Sequence, residues 1–185
     1  MQSNQFDSIR AISWADSGLE LLDQRMLPSE ETTVILTTVN DVVQSIEDMV
    51  VRGAPAIGIT AAYGVVIASR DRYRSSPETW KRDISPDLRM LSQARPTAVN
   101  LAWAVQVMTD AIKDIEGDPF ESLLATARGI HQADIRANYR MGELGADLIG
   151  PQCAVLTHCN AGALATGGYG TALGVVRAGY AAGKI

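Results

Sequence analysis

The stretch GAPAIGITAAYGVVIAS, residues 53–69, lies between Arg52 and Arg70 and carries no charged side chain. A helix with apolar residues on all sides must be buried in a core or a membrane. This run falls short of the roughly 20 apolar residues that a bilayer span needs, so it predicts a buried core helix. Pro55 suits its first turn, and Arg70-Asp71-Arg72 closes it. Gly58, Ala61 and Ala62 give it a small-residue face against which another backbone packs closely.

The sequence on either side predicts what surrounds that helix. Residues 9–14 alternate, and LELLDQRMLP and the β-branched TTVILTTV follow, separated by Asp16-Ser17-Gly18 and Pro28-Ser29-Glu30. Such segments predict a small antiparallel sheet. Asn40 or Asp41 is placed to cap a helix carrying Val42, Val43, Ile46, Met49 and Val50, which Gly53 would end. The polar stretch up to Lys81 reads as an exposed connection, and a short helix runs from about Pro86 to Ala94. Leu101, Ala104, Val105, Met108, Ile112 and Ile115 form another helix face, with Thr97 as its cap. Asp118-Pro119-Phe120-Glu121 opens a further helix that reaches Leu148, with a kink expected near Gly129.

After Gly150-Pro151 the pattern changes to CAVLT, an apolar run of strand length, then to glycine-rich turns and a helix through Val175, Val176 and Ala182. Strand, glycine-rich loop and helix in that order begin a βαβ unit of a mostly parallel sheet. No other stretch supplies the neighbours of such a strand, which implies either a fragment or a sheet borrowed from elsewhere. The expected fold class is an α+β domain, residues 1–150, followed by the start of an α/β domain, residues 151–185.

Composition narrows the function. With 46% hydrophobic and 20% charged residues and a formal net charge of -5, the chain reads as an ordinary globular protein. That balance argues against a broad nucleic-acid or anionic-membrane surface, though a local phosphate pocket is compatible with it. Cys153 and Cys159 sit at opposite ends of one extended run, too far apart for a disulfide. They read as free thiols in a reducing compartment, the cytoplasm. The opening MQSNQFDSIR shows no secretory pattern.

Ligands of open parallel sheets bind beyond the carboxyl ends of the strands, which directs attention to His158, Cys159 and Asn160. GGYGTALG matches a dinucleotide fingerprint only loosely, since Gly168, Gly170 and Gly174 are spaced G-x-G-x-x-x-G and no acidic ribose ligand follows. Arg52-Gly53-Ala54-Pro55 and Arg95-Pro96-Thr97 each set an arginine before a helix start, where free N–H groups and the dipole favour an anion. Two guanidinium forks there would clamp a phosphate. The plainer alternatives are a solvated arginine, a buried cysteine and a satisfied histidine. His131 reads as surface or packing, Cys153 as core, and no residue set has metal-binding spacing.

The segments LLDQRMLP, DMVVRGAPAIGITAAYGV, ARPTAVNLAWA and LTHCNAGALATGGYGTALGVVRA together resemble the methylthioribose-1-phosphate isomerases of methionine salvage. The wider family includes ribose-1,5-bisphosphate isomerases and regulatory subunits of an initiation exchange factor. The resemblance implies an N-terminal domain of small sheet and helices, a Rossmann-like domain beginning near Pro151, and a homodimer. It implies aldose–ketose isomerisation of a sugar phosphate without a redox cofactor or essential metal. Carried over by position, Arg52, Gly53, Ala54 and Arg95 would bind substrate and Cys159 would be the catalytic thiol. The family's acid, an aspartate, would come from sequence beyond Ile185, as would a glutamine and an asparagine-lysine pair. The rival implications are a non-catalytic sensor of a sugar phosphate or nucleotide, and an isomerase of ribose 1,5-bisphosphate or a deoxyribose phosphate.

Overall fold

The structure, a computed structural model, describes residues 8–185. Residues 1–7, most of the stretch read for a secretory pattern, lie outside the described residues. Among the described residues, β1 (Ile12–Ala15), β2 (Gly18–Leu22) and β3 (Thr33–Leu36) form one antiparallel sheet in the order β1-β2-β3. The expected small sheet is present. Strict alternation fails at its first edge, because Ala11 and Ile12 are both buried.

Helices follow as α1 (Val39–Glu47), α2 (Ala54–Ser75), α3 (Trp80–Asp83), α4 (Ser85–Gln93), α5 (Val99–Lys113), α6 (Phe120–Leu148) and α7 (Ala172–Ala181). The charge-free run is α2, in which every residue from Ala56 to Ser69 is buried. The sheet, α1, α4, α5 and α6 surround it, and its side chains belong to one continuous core with Leu19, Val42, Leu91, Leu101, Met108 and Leu123. Small residues set the distances. A Cβ on Gly58 would lie 2.8 Å from the Asn100 carbonyl oxygen of α5, and one on Gly64 would lie 2.9 Å from Leu91 and Val42.

Several boundaries differ from expectation. The cap of α1 is Thr38, whose hydroxyl accepts from Asp41 N at 3.2 Å while the Asp41 carboxylate accepts from Thr38 N at 3.0 Å. Asp41 is therefore the N3 partner of a capping box rather than the cap. Gly53 does not end α1. Met49 takes the left-handed turn at φ 60, Val50 and Val51 are buried in the link, and Gly53, at φ 98, caps the start of α2 instead.

Arg70-Asp71-Arg72 does not close α2, which runs on to Ser75 because Arg72 is held by a two-pronged ion pair. Its Nε and Nη2 donate to the buried Asp87 carboxylate of α4 at 2.6 and 2.9 Å. The polar stretch before Lys81 is not wholly exposed either: Trp80 is buried and meets Tyr73 edge-on. The cap of α5 is Ala98, not Thr97. Gly129 leaves α6 unbroken, and Asp118 accepts from Phe120 N at 2.9 Å at its start.

The CAVLT segment is not a strand here. Residues 153–156 are exposed and unpaired in any ladder among the described residues, Leu156 being 97% exposed. An isolated apolar run has no partner for its backbone groups and so gains nothing by forming a strand alone. The reading of Cys153 as core fails with it: Cys153 is exposed. The helix expected next is present as α7, packed on the second half of α6.

Two expected outcomes test this packing. Gly58→Ala should lower the unfolding free energy by about 1–3 kcal/mol by overpacking, although alanine is the better helix former. Gly129→Ala meets nothing within 4 Å, so it should add up to about 1 kcal/mol; urea midpoints of the two variants read both effects. Equal stabilisation by both would contradict the close α2–α5 approach.

Asp23 is buried and accepts from Arg25 N, Nε and Nη2 at 3.0, 2.9 and 2.7 Å. These bonds from Arg25 hold its carboxyl below the ordinary value of 3.8. The unfolded chain therefore takes up its proton first, and this contribution is lost as pH falls below 3.8 through the lowered folded value. Asp23→Asn should remove that part of the acid dependence in denaturation curves taken across the window.

Candidate functional site

Gly53 and the glycine-rich segment after Cys159 are in direct contact. A Cβ on Gly53 would overlap the oxygen, Cα and Cβ of Ala165, which lies in a single 3-10 turn, Ala163–Ala165. Only glycine fits that approach, and φ 98 is in the region that side chains disfavour. Arg52, Gly53 and Ala54 are thereby joined to the loop that follows the thiol. Arg52 and Ala54 are exposed beside this contact, and Ala54 is the first residue of α2, so its N–H has no intrahelical partner, while Ile57 N donates to the Gly53 carbonyl at 2.9 Å.

Arg95 is half-buried in the turn between α4 and α5, where its carbonyl accepts from Ala98 N at 2.9 Å. It precedes α5 by a turn rather than directly, since the helix starts at Val99. The Gly58–Asn100 contact nevertheless brings the first turn of α5 against the second turn of α2. Both expected anion sites therefore flank one end of the α2–α5 pair. Between α2, α5 and α6 lies a cleft of about 340 Å³ whose walls include Pro55, Asn100, Trp103 and Asp134.

Cys159 is exposed, at φ 72. A left-handed backbone at a non-glycine residue costs on the order of 1–3 kcal/mol and occurs most often where geometry serves a site. His158 and Asn160 beside it are exposed as well. Both cysteines are free.

Sequence reasoning missed the side chains beneath the loop. His131, read as surface or packing, is buried, with Tyr63 Oη 3.2 Å from Nδ1 and the Gly167 carbonyl oxygen 3.0 Å from Nε2. Gly167 N donates to Asp134 Oδ2 at 2.7 Å, and Asn138 Nδ2 donates to the same oxygen at 3.0 Å. From the other side Gln24 Nε2 donates to the Leu164 carbonyl at 2.7 Å. Burial holds His131 below its ordinary value and raises Asp134 above its own. The signal was present in the sequence: His131, Asp134 and Asn138 are spaced to share one helix face.

Among the described residues, no three His, Cys, Asp or Glu side chains gather as metal ligands, and no helix is long and apolar enough to cross a membrane. The arrangement places the exposed Arg52 and the start of α2 against the glycine-rich loop that follows the exposed Cys159.

Known proteins are similar to this chain in sequence and fold. The chain is 53% identical to the methylthioribose-1-phosphate isomerase of Methylococcus capsulatus over 96% of its own length and 51% of the relative's. It is 54% identical to that of Nitrosococcus oceani over 99% and 53%. The chain thus spans about half the length of the curated relatives it matches. Among solved structures, the delta subunit of translation initiation factor eIF-2B from A. fulgidus superposes with a TM-score of 0.85 at 38% identity, covering 96% of this chain and 52% of that one. The 5-methylthioribose 1-phosphate isomerase of Pyrococcus horikoshii gives 0.85 at 33% identity, covering 95% and 50%. The model of the initiation factor 2 subunit family matches residues 50–185, and the chain belongs to that family.

Proposed function

We propose that this chain supplies the phosphate-binding elements and the thiol of a methylthioribose-1-phosphate isomerase. The observation that carries the reading is the Gly53–Ala165 contact, which joins Arg52, Gly53 and Ala54 to the loop after Cys159. The names of relatives 53% and 54% identical over nearly the whole chain support it. On this reading Arg52 and Arg95 grip the phosphate with planar forks, the N–H of Ala54 at the start of α2 completes the grip, and Cys159 exchanges protons with the sugar.

The chemistry fits such groups. In an aldose 1-phosphate the anomeric oxygen is esterified, so opening the ring breaks the bond from C1 to the ring oxygen, which takes a proton. C2 gives up its hydrogen, C1 gains one, and the C2 hydroxyl loses its proton to become the ketone. The electrons stay within the substrate, so no external oxidant or reductant enters the balance. The reaction needs an acid and a base in a site shielded from water.

A Rossmann-like domain starting near Pro151 would cover the site, with residues 1–150 as the domain that carries the clamp and 151–185 as its first βα unit. The exposure of Val155 and Leu156 supports this, because such apolar side chains are expected to pack against further strands. An aspartate from that domain would act as the acid, a homodimer would be the working form, and the cytoplasm its location.

The A. fulgidus neighbour favours one other reading, a regulatory subunit that binds a ligand without converting it. Substitution separates the two. In the enzyme carrying this sequence, Cys159→Ala should abolish turnover of 5-methylthioribose 1-phosphate and leave its calorimetric affinity within about threefold; unchanged function would favour the regulatory reading. Arg52→Lys and Arg95→Lys should each weaken binding about tenfold, or 1.4 kcal/mol, because lysine offers no planar fork. Unaltered affinity in both variants would rule out the clamp.

A further inference from the structure

Residues 162–170 contain Gly162, Gly167, Gly168 and Gly170, and glycine loses more backbone freedom on ordering than any other residue. The loop is nonetheless buried along much of its length, from Ala165 through Gly168 and again at Gly170. Polar side chains on two separate parts of the chain point at its backbone, Gln24 and His131 buried and Asp134 half-buried. Gln24, in the link between β2 and β3, holds the Leu164 carbonyl. His131 and Asp134, one turn apart on α6, hold the carbonyl and the N–H of Gly167. Asn138 ties Asp134 in place, and Thr166 closes the loop by donating to the Gly168 carbonyl at 3.0 Å.

We propose that Gln24, His131 and Asp134 are positioning residues: they fix the glycine-rich loop against Gly53 and so set the shape of the ligand-facing surface that follows Cys159. Stability alone does not account for them. A buried polar side chain contributes little net free energy, and an apolar side chain of similar shape would fill the same space at less desolvation cost. What these three provide is direction. A neutral His131 that donates from Nε2 to Gly167 and accepts at Nδ1 from Tyr63 has both ring nitrogens satisfied. The clearance is close, since a Cβ on Gly167 would lie 2.6 Å from His131 Cδ2. The Arg10 guanidinium lies on the loop's other margin, where a Cβ on Gly168 would be 3.6 Å from it.

The assignment rests on reading this loop as ligand-facing, and its test does not need turnover. Amide hydrogen exchange would be followed at Gly167 and Gly168, with Val66 and Met108 as core reporters, in the parent chain, Asp134→Ala and Asp134→Asn. Asn retains an oxygen that accepts from Gly167 N. The expected result is loss of protection at Gly167 by about tenfold in Asp134→Ala, the scale of one hydrogen bond to a charged acceptor, recovery to within about threefold in Asp134→Asn, and unchanged core reporters. His131→Gln and Gln24→Ala serve as second variants, with loosening expected at Gly168 and at Ala165 respectively.

Unchanged exchange at Gly167, or a parallel loss at Val66 and Met108, overturns the assignment. Titration with 5-methylthioribose 1-phosphate adds a separate readout, in which Asp134→Ala weakens affinity at least about fivefold and Asp134→Asn restores it. A parent chain that does not bind this ligand contradicts the isomerase reading alone, and the exchange data still decide the loop.

Discussion

Burial of α2 on every side is the constraint from which the rest follows. With Ala56 to Ser69 enclosed, the helix meets solvent chiefly at its ends, and its partners must be arranged around it. Glycine and alanine along its length let α1, α4 and α5 approach closely. That closeness brings the start of α5 beside the start of α2, whose first residue, Ala54, is exposed next to Gly53. A core helix thereby presents an anion-attracting end at one defined place on the molecule.

The second constraint is a loop with too few side chains to order itself. Residues 162–170 make a tight backbone surface, and their shape is imposed from outside by Gln24, by the α6 face of His131, Asp134 and Asn138, and by Gly53. The elements that hold the loop come from both ends of residues 1–150. The shape of this surface is therefore a product of long-range packing, and Cys159, at φ 72, precedes it in the chain.

Much of this was legible from pattern. The charge-free run, the β-branched segments and the i, i+3, i+4 face of α5 predicted their elements because hydrophobic period maps directly onto burial, and the capping pattern at Asp118–Glu121 predicted α6. Arg52 and Arg95 are legible as arginines ahead of helix starts, and the Gly58–Asn100 contact brings the first turn of α5 against the second turn of α2. Errors arose where tertiary contacts override local chemistry. Met49 rather than Gly53 takes the turn after α1. Trp80 is buried in a stretch whose composition reads as solvated, and the Arg72–Asp87 pair extends α2 past its apparent charged stop. His131, read as surface or packing, is packed, but its partner is not legible in the sequence because a single histidine shows none until the backbone of Gly167 arrives. CAVLT has strand chemistry but no strand beside it among the described residues, so propensity alone leaves it exposed.

The central claim is that the start of α2 and the glycine-rich loop form one ligand surface. The most direct measurement is an amide chemical-shift titration with 5-methylthioribose 1-phosphate, reading Gly53 and Ala54 together with Gly167, Gly168 and Gly170. The account predicts that both groups of amides shift along one saturation curve with one dissociation constant. Shifts confined to one group, or two curves with different midpoints, would show that the two segments touch without sharing a ligand.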